Sequence, residues 1–243
     1  MENVSSQIII LFILTTLAAI WLFVKAAHNS KIVILGIACW MLIQSLLSIV
    51  GFYTDWNRIP PRFMLMILPP LIFIILMLVS KRGKGFIDSL NIETLTILHC
   101  IRIPVEITLY YLFQAKLIPQ SMTFEGSNFD ILSGISAPVV YYMVFIAKKL
   151  DRRVLLAWNF LCLALLLNVV ITAILSAKTP FQKFDFDQPN IGIGYFPFVL
   201  LPSVIVPIVL FSHLASIRKI LNRRTITHSK DEIIIKNRQA TEY

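Results

Sequence analysis

Residues 7–27, QIIILFILTTLAAIWLFVKAA, decide the class of fold, because this apolar run contains a single charged side chain, Lys25. A helix that crosses a bilayer needs about 20 predominantly apolar residues. The whole chain of 243 residues follows the same pattern, with 57% hydrophobic and 14% charged residues. A soluble domain has about 25% charged residues. The composition therefore excludes soluble, disordered and disulfide-rich classes and indicates an integral membrane protein.

Six further apolar runs have a similar length. They lie at about 31–53, 61–80, 93–117, 129–148, 153–176 and 195–217. The first run is a retained helix rather than a secretory signal, because residues 1–7 include Glu2 and no basic residue. We therefore predict an all-α, polytopic seven-transmembrane-helix bundle over residues 1–217, followed by a basic cytoplasmic tail over residues 218–243.

The basic residues predict the orientation of this bundle. With the N-terminus outside, sixteen Lys and Arg residues fall on the inner side and five on the outer side, while Arg102 lies within a span. Inner loops carry the excess of Lys and Arg in membrane proteins. The net charge of +9 then lies at the cytoplasmic face, where we expect contact with anionic lipid headgroups and not with nucleic acid. We expect a multi-pass membrane location, in the plasma (inner) membrane if the source is bacterial.

The fourth span carries a stripe of polar residues. At 100° per residue, His99, Arg102 and Glu106 fall within a sector of about 60°, and Tyr110 extends the same face. Ionisable residues at membrane depth usually face a bundle interior or a water-filled cavity. We predict that this stripe faces inward, with Glu106 at the bilayer centre as a proton or cation acceptor and Arg102 as its counter-charge or an anion clamp.

Other spans place polar residues at matching depths. A rise of 1.5 Å per residue puts Gln44 near the level of Glu106, and Asn159 and His213 near the level of His99. We predict that His99 and His213 form an inner proton-relay or ligand layer. The predicted ligand- or ion-binding set is Glu106, Arg102, His99, His213, Gln44, Asn159 and Tyr110.

The sequence implies no firm cofactor. His99 and His213 are the one pair of histidines at matched depth in two spans, so axial ligation of haem b is an alternative. Catalytic zinc normally has three protein ligands, and Glu106 lies about 10 Å along the helix from His99. We therefore predict no zinc site and assign no catalytic residue, and whether the protein is an enzyme is left open.

The outer loops alternate acidic and aromatic residues, which favours an outer vestibule for a cation or an amine. The acidic residues of this predicted vestibule are Asp55, Glu125, Asp130, Asp185 and Asp187. Asp130 begins the fifth span and could equally cap that helix. Proline lies within four of the predicted spans, which predicts bent helices. Those in the centre of the spans are Pro69, Pro70, Pro104, Pro138, Pro202 and Pro207.

The leading functional hypothesis is a membrane protein that binds or translocates a small molecule, an ion or a proton at a polar site within the bundle. Three alternatives stay open. These are a haem-b electron-transfer protein, a membrane-embedded enzyme acting on a lipid or isoprenoid, and a structural or partner-binding subunit. The sequence predicts neither the ligand nor the oligomeric state.

Overall fold

The computed structural model describes residues 4–56 and 58–222, and these fold into helices without a named strand. The α-helices are numbered in chain order. They are α1 (Ser6–Ala26), α2 (Lys31–Ile49), α3 (Met64–Val79), α4 (Lys81–Ser89), α5 (Ile92–Leu98), α6 (Arg102–Gln114), α7 (Ile131–Tyr141), α8 (Arg152–Leu175) and α9 (Leu201–Asn222). A 3-10 turn, His99–Ile101, joins α5 to α6. The all-α fold class is therefore as predicted, and residues 223–243 of the predicted tail lie outside the described residues.

Among the described residues, five helical segments are long and apolar enough to cross a membrane. They are α1, α2, the joined α5 and α6 (Ile92–Gln114), α8 and α9. The other two predicted spans depart from this length. The fifth predicted span is a shorter apolar helix, Ile131–Ile146, and the third is the 16-residue α3, followed by α4 at an angle of 90°. The described residues are thus compatible with a membrane protein, while seven spans and the N-out orientation stay predictions.

The bend between α3 and α4 is a feature that the apolar runs did not indicate. Ser80 ends α3 in an extended conformation and caps α4, accepting a hydrogen bond of 3.1 Å from the backbone N–H of Gly83. A Cβ atom on Gly83 would lie 2.2 Å from the carbonyl oxygen of Met77. The chain can therefore turn this sharply because residue 83 has no side chain.

Proline explains where two helices lose regular geometry. Beyond Pro138, α7 passes into a π-helical segment at Tyr142–Ile146, and α9 begins with a π-helical segment at Leu201–Ile205 that contains Pro202. Proline lacks the N–H that continues an α-helical ladder, and π segments commonly absorb such an interruption. The last long apolar helix begins at Leu201, whereas the predicted span begins near residue 195.

The core is built around α9. About two thirds of its residues are buried, whereas only about a tenth of those of α2 are. Aromatic pairs join α9 and the loop before it to α1, with ring centroids 5.2 Å apart for Phe12 and Phe198 and 5.8 Å for Phe23 and Phe211. A backbone hydrogen bond of 2.9 Å from Asn91 to Ala26 ties α5 to the end of α1. Helices α1 and α7 pack against α6, and Arg102 and Glu106 of α6 lie in the interior.

Candidate functional site

The three ionisable residues of the polar stripe, His99, Arg102 and Glu106, are deeply buried. His99 lies in the 3-10 turn before α6, Arg102 begins α6, and Glu106 follows one turn later, and none of them is more than 2% exposed. Gly134 of α7 packs directly against this turn. A Cβ atom at position 134 would lie 2.9 Å from the Ile103 side chain and 3.2 Å from Cβ of Arg102. The absence of a side chain at Gly134 lets α7 approach the charged part of α6.

Arg102 pairs with Asp130 and not with Glu106. Its Nη1 donates to Oδ1 of Asp130 at 2.5 Å, and the two side chains are only 3% and 6% exposed. A longer contact of 3.4 Å joins Nη1 to the backbone carbonyl of Cys162. Two sequence predictions are thereby corrected: Asp130 belongs to the buried site and not to an outer vestibule, and it replaces Glu106 as the ion-pair partner of Arg102. The physical reason is that the chain before α7 folds into the bundle.

Glu106 is held by an amide and not by a cation. The side-chain nitrogen of Asn128 donates to both carboxylate oxygens of Glu106 at 2.8 Å and to the carbonyl of Met122 at 2.9 Å. The side-chain oxygen Oδ1 of Asn128 accepts a hydrogen bond of 3.0 Å from the backbone N–H of Asp130, which fixes the orientation of the side-chain amide. Sequence reasoning missed Asn128. The available signal was its position two residues before Asp130, a spacing typical of an Asx turn.

A small cavity adjoins these charged residues. Its volume is about 80 Å³, and Arg102, Glu106 and Asp130 line it together with apolar residues of α6, α8 and α9. Two of the Arg102 nitrogens, Nε and Nη2, are buried and have no hydrogen-bond partner among the described residues. One water occupies about 30 Å³ of liquid volume. The cavity therefore has room for a few water molecules or one small ion, and it is too small for a drug-sized molecule.

The two histidines of the predicted inner layer lie against each other. The rings of His99 and His213 have centroids 3.9 Å apart and planes 13° apart, so they are stacked face to face. Nδ1 of His213 lies 3.0 Å from the side-chain oxygen of Asn159, and Trp158 packs with its edge toward His99 at 5.5 Å. Both rings are fully buried, so their nitrogens are not exposed at the surface of the described residues.

This stacked pair does not fit axial ligation of haem. An axial histidine points a ring nitrogen along its own plane toward the iron, and two such ligands approach the metal from opposite sides. His99 and His213 instead face each other with their ring planes. The described residues also contain no group of three or more His, Cys, Asp or Glu side chains that could hold a metal ion.

Two of the predicted ligand residues lie in other surroundings. Gln44 of α2 accepts a hydrogen bond of 2.6 Å from the hydroxyl of Tyr53, which lies beyond the end of α2. Burial raises the pKa of Tyr53 to about 12. Tyr110, near the C-terminal end of α6, stacks on Phe124 with ring centroids 5.2 Å apart. Neither Gln44 nor Tyr110 lines the cavity beside Glu106.

The remaining acidic residues of the predicted vestibule have separate environments. Asp55 pairs with Arg58 at 2.9 Å and with Arg62 at 3.6 Å. Asp185 accepts a hydrogen bond of 2.6 Å from Ser121. The other two, Glu125 and Asp187, are exposed. In the part of the chain that the structure describes, these carboxylates form no cluster of three.

A family profile described as "Domain of unknown function (DUF8737)" matches residues 59–221, about two thirds of the chain. The chain belongs to this family. The match runs from just before α3 almost to the end of α9, so it includes every residue of the buried site, whereas α1 and α2 precede it. The search of curated proteins and the search of solved structures found no match.

Proposed function

We propose that this protein is a seven-span, N-out and C-in membrane protein that binds a proton or a small ion beside Glu106 and passes it across the membrane. The observation that carries the proposal is the charge arrangement around the cavity. Arg102 and Asp130 compensate each other within an ion pair. Glu106 faces the same cavity and is hydrogen-bonded to the neutral amide of Asn128. Glu106 is therefore the carboxylate of this cavity whose negative charge a bound cation would compensate.

The volume of the cavity decides which ligands the proposal includes. Small-molecule sites usually measure about 300–1,000 Å³, and this cavity measures about 80 Å³. A proton, carried by water, and a desolvated monatomic cation both fit. Buried carboxylates in membrane helices commonly mark proton and ion pathways. The proposal is accordingly narrower than the sequence hypothesis, which included small molecules.

The stacked histidines supply the next step of the proposed pathway. His99 lies one helical turn before Arg102 in sequence, toward the start of α5. The start of α5 lies beside Lys148, Arg152 and Lys219, which mark the basic end of the bundle. Three ring nitrogens of His99 and His213 are buried and have no hydrogen-bond partner among the described residues. An imidazole can accept a proton on one nitrogen and release one from the other. We assign the pair as the relay between Glu106 and the inner face.

The experiment is a proton-flux measurement in liposomes that contain the purified protein and an internal pH-sensitive dye. A potassium diffusion potential, set by valinomycin, drives the flux. We expect Glu106→Gln to reduce the protein-dependent flux at least tenfold, because the amide cannot take up a proton. Glu125→Gln is the matched control, because it is the same substitution at a residue that is exposed on a loop.

Three outcomes would contradict the proposal. Wild-type flux equal to that of empty liposomes, in the presence of either protons alone or added Na⁺ and K⁺, would exclude translocation. A Glu106→Gln variant with wild-type flux would remove Glu106 from the pathway. If His99, Arg102 and Glu106 variants change only the unfolding temperature, the polar stripe serves to hold helices together, as the structural alternative requires.

A further inference from the structure

We propose that a second cavity, at the basic end of the bundle, binds an amphiphile with a phosphate-type anionic headgroup. This cavity is separate from the one beside Glu106 and measures about 650 Å³. It lies among the start of α5, the π-helical segment after α7, the start of α8 and the last part of α9. Its volume is within the range of about 300–1,000 Å³ that is usual for small-molecule sites.

The floor of the cavity is apolar. Leu90, Leu155 and Ile220 line it, and each of these side chains is at most 2% exposed. Val144 and Phe145 of the π-helical segment continue this surface. Val144 and Phe145 are partly exposed, so a ligand that covers them removes apolar surface from water, and at least one part of a well-fitted ligand is a hydrocarbon.

The rim of the cavity is mainly cationic. Lys148, Arg152 and Lys219 all line it, and the Lys219 ammonium group donates to the carbonyl of Leu90. Lys148 and Arg152 are exposed, and the ion pairs found among the described residues include neither of them. Two cationic side chains therefore stand at the edge of an apolar cavity with no carboxylate paired to them in that part of the chain.

The rim also carries two acidic residues, Asp151 and Glu93, against its three basic ones. Asp151 accepts hydrogen bonds from the backbone N–H groups of Arg153 at 2.7 Å and Val154 at 3.2 Å. Its charge is thus engaged at the positive end of the α8 dipole. Glu93, in the first turn of α5, is the other carboxylate of the lining. The chemistry that matches an apolar floor with an excess of Lys and Arg at its edge is an acyl or prenyl chain that carries a phosphate.

The chain offers matched controls for a test of this site. Lys148 is followed by Lys149 and Arg152 by Arg153, and in each pair only the first residue lines the cavity. All four side chains are exposed, so neither double variant removes a buried contact. The variant Lys148→Gln/Arg152→Gln and the control Lys149→Gln/Arg153→Gln each lose two positive charges. Each substituted position of the control directly follows one of the variant.

The measurement is native mass spectrometry of the purified full chain, released from detergent micelles titrated with phosphatidylglycerol. Attraction of one Lys or Arg to an anionic lipid corresponds to about a fivefold change in affinity, so loss of both gives about twenty-five-fold. We expect this weakening for Lys148→Gln/Arg152→Gln and less than a twofold change for the control. Equal weakening of the two variants, or none in either, would overturn the proposal, because attraction would then be non-specific.

A second arm distinguishes a lipid from a free phosphate. Glycerol phosphate carries the headgroup without the acyl chains. If it binds with the same dependence on Lys148 and Arg152 as the lipid, and with similar affinity, the site recognises the phosphate of a soluble ligand. If the lipid alone binds, the apolar floor is part of the recognition. If neither ligand binds to the wild-type protein, the proposal is wrong, whatever the result of the proton-flux experiment.

Discussion

The substitution Asp130→Asn tests whether the buried ion pair holds α7 against α6. The change keeps the size of the side chain and one hydrogen-bond acceptor but removes the negative charge 2.5 Å from Arg102 Nη1. The guanidinium group has no second ion pair among the described residues: Nε and Nη2 lack partners, the Cys162 carbonyl is 3.4 Å away, and Glu106 is bonded to Asn128. The variant therefore leaves a buried positive charge without a directly paired carboxylate.

The expected loss is large for a change of one functional group. Breaking a buried ion pair by removal of one partner costs about 3–5 kcal/mol. Because the Asn amide oxygen still accepts a hydrogen bond, we expect the lower end of this range, about 3 kcal/mol. The same substitution at Asp55, which pairs with Arg58 and Arg62 near the surface, should cost less than about 1 kcal/mol.

The assay is equilibrium unfolding of the purified protein in mixed detergent micelles, followed by helical circular dichroism. Adding Arg102→Met to Asp130→Asn removes the stranded charge, and we expect the double variant to regain most of the lost stability. The reasoning is refuted if Asp130→Asn is as stable as Asp55→Asn. It is equally refuted if the double variant is less stable than either single variant.

Two further predictions concern positions outside the buried site. Tyr53→Phe should destabilise the protein by about 1–3 kcal/mol at neutral pH, because the buried Gln44 oxygen loses its donor. Since the folded-state pKa of Tyr53 is raised to about 12, its contribution is complete below pH 10 and is lost between pH 10 and 12. Wild-type stability should therefore fall more steeply than that of Tyr53→Phe in alkaline unfolding titrations, and parallel curves would contradict this. Gly83→Ala should lower the free energy of unfolding by about 1–3 kcal/mol, because the added Cβ meets the Met77 carbonyl. Gly85 has open space around it, so Gly85→Ala should be neutral or stabilising by up to about 1 kcal/mol. Equal unfolding temperatures of the two variants would show that the bend tolerates a side chain.

The hydrophobic runs predicted where the helices lie, because lipid requires long apolar segments and leaves little choice of position. Each of the seven predicted runs overlaps a described helix. The runs did not indicate α4. Its residues, KRGKGFIDS, are too polar for a span and look like an inner loop, whereas Ser80 and Gly83 give them a capped helical turn at 90° to α3. A local cap and a close backbone approach determine this element, and hydropathy detects neither.

The polar site was predictable in part, for a similar reason. Depth along a helix follows from counting residues, and the count placed His99 and His213 at the same level, where the two rings are stacked. Partners that come from loops do not follow from depth. Asn128 and Asp130 lie 22 and 28 residues from the groups that they contact, Glu106 and Arg102. Their inward position depends on how the chain folds between α6 and α7, which no periodicity reports.

The amide of Asn128 leads to a consequence that follows from counting hydrogen atoms. Its nitrogen carries two of them, yet three oxygens lie within hydrogen-bond distance: the two of Glu106 and the carbonyl of Met122. One acceptor is always undersupplied while Glu106 is ionised. A proton added to Glu106 supplies the missing hydrogen, so that the amide no longer has to be shared three ways. Charge at Glu106 and the attachment of the chain that leads into α7 are therefore properties of a single hydrogen-bonded unit, and a change in one is a change in the other.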